Sequence, residues 1–357
     1  MMKISILTPC FNHEKYIKYF IQSILEQSFE KFELIIVDDY SSDDSVKEIQ
    51  KFNDSRIKLI KHDFNQGING ALNTAFENSS GDYIVFCASD DMLEKNALEV
   101  IYNYFINNEN TIAVYPNLTC IDENNNILGE LYPLKKRSRI ELLYHLFMRY
   151  NCLTSVGLSL KRNEFKKLYP LPISMCNYQD MQMHINILKN GDVLILNEKL
   201  IKYRRTNTQT NISAHTSITT TRENLEEEKL LDTYLNIKDI TLLEEIFQNE
   251  IIKTKIKPYD NTVKFFLGRM ALESDSIYKK YWGYHKIMEF YNNKENAKIL
   301  LQRYSFSFKD FLELAKKCDG GDINLRKYKK YKKLFNYSLV FSSIITLMFI
   351  CILSLGL

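Results

Sequence analysis

Two of the adjacent carboxylate pairs in this 357-residue chain, Asp38-Asp39 and Asp90-Asp91, follow strand-like runs. Each closes an apolar run rich in β-branched residues: 32–37 before the first pair, and 83–87 with Ala88-Ser89 before the second. Such runs read as buried strands, and an open α/β sheet binds its ligands outside the carboxyl ends of its strands. Adjacent acids at that place can hold a hard divalent cation and, through it, a phosphate. A plainer role is also open, because Asp is a favoured helix N-cap: Asp90 before a helix at 94–109, Asp38 and Asp39 in the loop before a helix at 44–53. His13, His62, His145, His184, His215 and His285 show no metal-ligand spacing, and His184 on an apolar helix face reads as structural.

The elements that must position these acids alternate regularly. A first strand at 3–8 breaks at Pro9. Asn12 then reads as the N-cap of a helix over 13–29, whose Tyr16, Ile17, Phe20, Ile21, Ile24 and Leu25 form one buried stripe. Strand 32–37, helix 44–53, strand 57–60, helix 71–79 and strand 83–87 follow. Strand–helix alternation with short links predicts a doubly wound, mainly parallel sheet. The Gly/Asn loop at 65–70 has neither the Gly-Lys-Ser/Thr of a P-loop nor the spacing of a dinucleotide fingerprint.

Beyond the helix at 94–109 the pattern gives strands at 111–115, 118–122 and 127–131, a helix at 138–150, a strand at 156–160 and a helix at 162–168. A helix opened by residues 177–180 runs to about Asn190, and strands at 193–196 and 200–204 lead into a polar loop reaching Thr221. From Glu226-Glu227-Glu228-Lys229 to about 318 the periodicity is helical throughout. Arg326, Lys327, Lys329, Lys330, Lys332 and Lys333 then precede an uncharged stretch, 334–357, long enough to cross a bilayer as one helix, the alternatives being a hairpin-forming or in-plane helix or a core helix packed on the helical region. This predicts three regions: an α/β domain at 1–215, a helical appendage at 222–320, and a basic flank with a hydrophobic anchor helix at 326–357. The basic flank predicts a cytoplasmic catalytic half. A net charge of +3 gives no footing for nucleic acid as a partner. Seven scattered Cys without a CxxC fit free thiols in a reducing compartment, and the N-terminus shows no signal-peptide pattern.

Several stretches, in order, resemble family 2 glycosyltransferases of the GT-A fold, over about residues 3–210. Residues 5–12, ending Thr8-Pro9-Cys10-Phe11-Asn12, are similar to that family's opening strand and turn. Residues 23–29 match the end of its first helix, and 32–42 its strand ending in paired acids. Asn65-Gln66-Gly67 with Ala71 and Asn73 matches its Asn-x-Gly loop, and 81–91 its acidic metal-binding strand. Residues 177–180 and Tyr203-Arg204 are similar to its later helix start and strand. Three positions depart from the pattern: Ala88 stands where an acid is usual, Gln179 where Glu is common, and Leu72 where a loop Arg is frequent.

The resemblance implies a nucleotide-sugar donor, a glycan or lipid-linked glycan acceptor, and a place in bacterial surface-polysaccharide or glycolipid synthesis at the cytoplasmic face of the inner membrane. Pro9 and Phe11 would flank the base, Asn12 would belong to the same donor site, and Asp39, aided by Asp38, would accept hydrogen bonds from base or ribose. Asp90, supported by Asp91, would hold Mg²⁺ or Mn²⁺ against the diphosphate, and Arg204 or Arg205 would meet phosphate. Asp180 would be the general base, with inversion at the anomeric carbon; its plainer role is the N-cap of its helix. A membrane-tethered scaffold with a degenerate transferase fold is the alternative that Ala88 favours. A phosphoacceptor domain would carry its acid pair after the first strand, whereas Asp38-Asp39 follows the second with no Asp and Lys to complete it, and a nucleotidyltransferase would need a basic Gly-rich signature after the first strand.

Overall fold

The computed structural model describes residues 2–130, 133–205, 216–318, 327–338 and 341. The first apolar run forms β1 (Ile4–Cys10), which lies parallel to β2 (Phe32–Asp38) on one side and to β4 (Tyr83–Phe86) on the other; β3 (Ile57–Lys61) extends the sheet beyond β2. The remaining strands are β5 (Met92–Leu93), β6 (Ala113–Ile121), β7 (Ile127–Gly129), β8 (Ser159–Lys161) and β9 (Val193–Arg204). The sheet runs β3-β2-β1-β4-β8-β6-β9-β5, with β7 hung on β6. Parallel pairing holds across β3-β2-β1-β4 and again between β6 and β9, while β8, β5 and β7 pair antiparallel, so the sheet is mixed beyond β4.

Period-two alternation divides the strand side chains between two faces. Ile4, Ile6, Leu34 and Ile36 pack with Phe20, Ile21, Ile101 and Phe105, from α1 (Ile17–Leu25) and a helix over residues 97–107. Leu7, Ile35 and Val37 pack on the opposite face with Phe76, Phe147, Phe165 and Ile187. Helices on both faces are what the alternating sequence requires. In chain order they are α1, α2 (Ser45–Gln50), α3 (Gly67–Glu77), α4 (Ala97–Asn107), α5 (Arg139–Met148), α6 (Arg162–Lys166) and α7 (Gln179–Asn190). The helical region follows as α8 (Ser217–Asp232), α9 (Ile240–Ile246), α10 (Gln248–Thr254), α11 (Val263–Ala271), α12 (Ile277–Tyr291), α13 (Lys294–Tyr304) and α14 (Phe308–Glu313).

Several expectations are corrected. Asn12 caps no helix: it sits in the left-handed region at φ 55, its Oδ1 accepts a hydrogen bond from Ser42 N, and α1 begins only at Ile17. Strands expected separately at 111–115 and 118–122 are one strand, β6, which carries Pro116 through a register shift between Tyr115 and Asn117 against β9. The strands at 193–196 and 200–204 are likewise one, β9. The helical region shares a core with the sheet: Phe147 of α5 stacks edge-on against Tyr234, Phe247 and Trp282. Within it α11 and α12 approach so closely that a Cβ on Gly283 would lie 2.5 Å from the Gly268 carbonyl oxygen.

Among the described residues no helix is long and apolar enough to cross a membrane. Most of the uncharged stretch 334–357, on which an anchor helix is expected, lies outside the described residues, as does most of the loop expected from Arg205 to Thr221.

Candidate active site

Four parallel strands end together at one edge of the sheet, and the paired acids sit there. The β1–β2 register sets Pro9 beside Val37 and Cys10 beside Asp38. Thr8 Oγ1 and Asp38 Oδ1 are buried there with no hydrogen-bond partner among the described residues, a costly arrangement unless something else supplies one. Asp38 Oδ2 accepts from Ser41 N at 3.1 Å. Phe11 and Asn12 lie exposed at the rim, and Pro9 is half-buried beneath them.

Asp39 is differently engaged. Its Oδ1 accepts from Gln66 N at 2.8 Å and meets His62 Nδ1 at 2.7 Å, and its Oδ2 accepts from Gly67 N at 2.8 Å. Gly67 has φ +75, a conformation that side chains resist. Asp39 therefore fixes the 62–67 loop, and free acceptor capacity at this edge concentrates on Asp38. His62, whose Nε2 also meets Thr74 Oγ1 at 2.9 Å, was not singled out by the sequence, because its partner lies far along the chain.

Asp90 and Asp91 follow β4 with unequal surroundings. Asp91 is fully buried; its Oδ1 accepts from Arg204 N at 2.8 Å, and its Oδ2 has no partner among the described residues. Burial, then the charge of Asp90, pushes the Asp91 carboxyl well above the usual range. Asp90 is half-buried, and among the described residues no donor reaches its carboxylate. Ser89 Oγ meets His13 Nδ1 at 2.7 Å, tying this turn to the end of β1.

Arg204, the residue expected to meet phosphate, has its guanidinium engaged by the protein itself. It is fully buried at the end of β9, stacked 4.6 Å from the Tyr16 ring centroid. Its Nε donates to the Asp90 carbonyl at 2.7 Å, Nη1 to the Asp122 carbonyl at 2.6 Å, and Nη2 to Asn125 Oδ1 at 2.7 Å. This planar fork clamps the acidic turn from behind.

Among the described residues no group of three His, Cys, Asp or Glu side chains converges as a complete metal cage. The residues nevertheless fit a divalent cation shared with a diphosphate, which needs one or two protein carboxylates and takes its other ligands from phosphate and water. Asp90 has an unengaged carboxylate, and Asp91 has an orphaned oxygen that a cation would satisfy.

Asp180 lies inside the first turn of α7 and does not cap it; the N-cap is Tyr178. Its Oδ1 accepts from Met181 N at 2.6 Å and its Oδ2 from Asn151 Nδ2 at 3.0 Å. Burial raises its carboxyl to about 6, against the opposing pull of those hydrogen bonds. Asn151 lies in the stretch that leads from α5 towards β8, the antiparallel neighbour of β4. The approach to α7 is tied to α3, since Asn73 Nδ2 donates to the Leu171 carbonyl at 2.9 Å and Asn69 Nδ2 to the Pro172 carbonyl at 2.7 Å. One turn below Asp180, buried His184 meets Tyr115 Oη at 3.1 Å; burial lowers it to about 3, in keeping with a structural residue.

The comparisons with known proteins agree with this architecture. The model of "Glycosyl transferase family 2" matches residues 5–158. The chain is 34% identical over 203 residues to the UDP-Glc:alpha-D-GlcNAc-diphosphoundecaprenol beta-1,3-glucosyltransferase of Escherichia coli, spanning 56% of this chain and 76% of that enzyme. It is 37% identical over 105 residues to the GalNAc(5)-diNAcBac-PP-undecaprenol beta-1,3-glucosyltransferase of Campylobacter jejuni, spanning 28% and 34% of the two chains. TarS 1–349 of S. aureus, solved with UDP-GlcNAc, shares the fold at a TM-score of 0.56 and 18% identity, over 87% of this chain and 95% of that one. With a relative so similar across most of its length, and a sheet whose acids stand at the expected edge, the chain belongs to glycosyl transferase family 2 and is a glycosyltransferase of the GT-A fold.

Proposed function

We propose that the protein transfers a sugar from a nucleotide-sugar donor to a hydroxyl of a lipid-linked glycan, with inversion, during assembly of a bacterial surface polysaccharide or glycolipid. The observation that carries the reading is Asp180: a shielded carboxyl, raised to about 6, at the start of α7 and hydrogen-bonded to Asn151 of the stretch that leads towards β8. A base raised toward neutrality is matched to removing a hydroxyl proton near pH 7. Each Asp180 oxygen makes one hydrogen bond and keeps a lone pair for the acceptor hydroxyl.

In the reaction the acceptor oxygen gives its proton to Asp180 and bonds to the anomeric carbon. The bond from that carbon to the diphosphate oxygen breaks, and the nucleoside diphosphate leaves. A single displacement inverts the centre. Mg²⁺ or Mn²⁺, held by Asp90 with Asp91, would neutralise charge on the departing diphosphate. Asp38 offers the buried acceptor for a base or ribose donor, with Pro9, Phe11 and Asn12 at its rim. The Escherichia coli and Campylobacter jejuni relatives, whose names give diphosphoundecaprenol-linked acceptors, support a lipid-linked substrate.

A UDP-sugar panel incubated with Mn²⁺ and a polyprenyl-diphosphate glycan should release nucleotide diphosphate with one donor and give product of inverted configuration by NMR. Asp90→Ala should lose metal-dependent donor binding in calorimetry. Equal affinity in that variant, or no transfer from any donor, would overturn the reading. The uncharged stretch 334–357 behind its basic flank supports attachment to the cytoplasmic face of the membrane. Deleting 334–357 should move the protein to the soluble fraction, and a truncated protein that still sediments with membranes would refute the attachment.

A further inference from the structure

The turn that delivers Asp180 is held by a residue from the helical region. Glu226 of α8 is buried, and its carboxylate accepts three backbone hydrogen bonds: Cys176 N to Oε1 at 3.0 Å, and Asn177 N and Tyr178 N to Oε2 at 2.9 and 2.8 Å. These amides lead directly into α7. A helix start is usually capped by a Ser, Thr, Asp or Asn of its own turn, yet Tyr178 supplies no such side-chain bond. The cap comes instead from a carboxylate nearly fifty residues further along the chain.

The neighbouring acid grips the other segment that meets Asp180. Glu227 is buried 3.7 Å from Lys279 Nζ, and Ser276 Oγ donates to it at 3.0 Å. Lys279, of α12, is itself buried and donates to the carbonyls of Phe147 and Arg149, both at 2.7 Å. Those carbonyls close α5, two residues before Asn151, whose side chain donates to Asp180 Oδ2. A charged run that would ordinarily be a solvated helix face is thus partly buried, and its buried charges are matched to backbone N–H groups and an ammonium.

We infer that Glu226 is a positioning residue for Asp180, holding the 176–178 turn so that the carboxylate meets the acceptor hydroxyl, with Glu227 and Lys279 bracing the Asn151 side of the same site. The inference rests on Asp180 being the base. It makes α8 part of the catalytic apparatus. The hydrogen bonds of Glu226 all go to the 176–178 turn, so the inference expects donor binding to be independent of it.

The test is steady-state kinetics on the full chain with nucleotide calorimetry and urea unfolding for each variant. E226A should lose about 100-fold in kcat, the scale expected when a reacting group is misplaced by about 1 Å. Donor KM and nucleotide affinity should stay within about twofold, because the three hydrogen bonds of Glu226 go to the 176–178 turn and not to the donor-site acids. E226Q retains one oxygen acceptor and should recover to within about tenfold of wild type. A wild-type kcat in folded E226A, with D180N inactive, overturns the inference and leaves the base reading standing. An active D180N overturns the base reading and the inference with it. Parallel loss of donor affinity and kcat marks a global structural role and also overturns it. If E226A does not fold, E226Q and K279M carry the test, and wild-type kcat in both overturns the inference.

Discussion

Replacing Asp180 by Asn should make the protein more stable while abolishing transfer. The Asp180 carboxyl stands at about 6 in the folded chain against an ordinary 3.8. At about 1.4 kcal/mol per pH unit, that gap corresponds to about 3 kcal/mol. The sign follows from proton binding. Between those two values the native state holds the proton more tightly than the unfolded chain, so stability falls as pH rises. The penalty is absent below the unfolded value and complete above about pH 7. Asn carries no charge and escapes it. The same substitution weakens the bonds from Met181 N and Asn151 Nδ2, a loss of about 1 kcal/mol. The net expectation is a gain of about 2 kcal/mol at pH 8, shrinking to well under half of that at pH 5. Urea unfolding of both proteins at the two pH values measures it, with nucleotide release assayed on the same samples. A gain equal at pH 5 and pH 8, or a variant less stable than wild type at pH 8, would refute the reasoning about burial. Retained transfer would refute the role of the base.

The remaining expectations separate residues that look alike in sequence. Asp39→Ala leaves His62 and two backbone amides without their acceptor and should cost about 2–3 kcal/mol in urea unfolding. Asp38→Asn should cost far less stability and instead weaken nucleotide binding in calorimetry; the reverse ranking would overturn the division of labour between them. Arg204→Met removes a buried cation beside Asp91 and should destabilise by about 3–5 kcal/mol, with loss of metal-dependent donor binding. A stable variant that binds donor normally would show that Arg204 does not organise the acidic turn.

What the sequence revealed and what it hid follow from the range of the interactions. Strands such as 32–38 are buried on both faces, so their composition alone identifies them. The positions of Asp38, Asp39, Asp90 and Asp91 at strand ends could be read for the same reason. Helix starts could not. Asn12 has the chemistry of a cap, but its side chain reaches Ser42 thirty residues away and the chain turns left-handed there. Arg204 in Tyr203-Arg204-Arg205 has the composition of a loop cation, and only the pairing of β9 with β5 and β6 buries it. Glu226 belonged to a run of three acids, with no local sign that two of them turn inward. The helical region was legible as helices but not as a partner of the sheet, because a shared core is a property of contacts between distant segments.

A common arrangement underlies both acid pairs. In each, one carboxylate is spent on the protein and its neighbour is left available. Asp39 closes the 62–67 loop while Asp38 keeps an unpartnered oxygen; Asp91 receives Arg204 N while Asp90 is unengaged. An acid keeps more of its acceptor capacity for a ligand when its neighbour carries most of the bonds that fix the backbone, since each hydrogen bond to the protein takes up a lone pair. Placing such a strut next in the chain achieves this, because fixing one residue orients the next. Ala88, where the family usually carries a further acid, is consistent with the same logic. What the turn needs for rigidity comes from Asp91 and the Arg204 clamp, so an alanine at position 88 removes a possible ligand without loosening the carboxylate that remains.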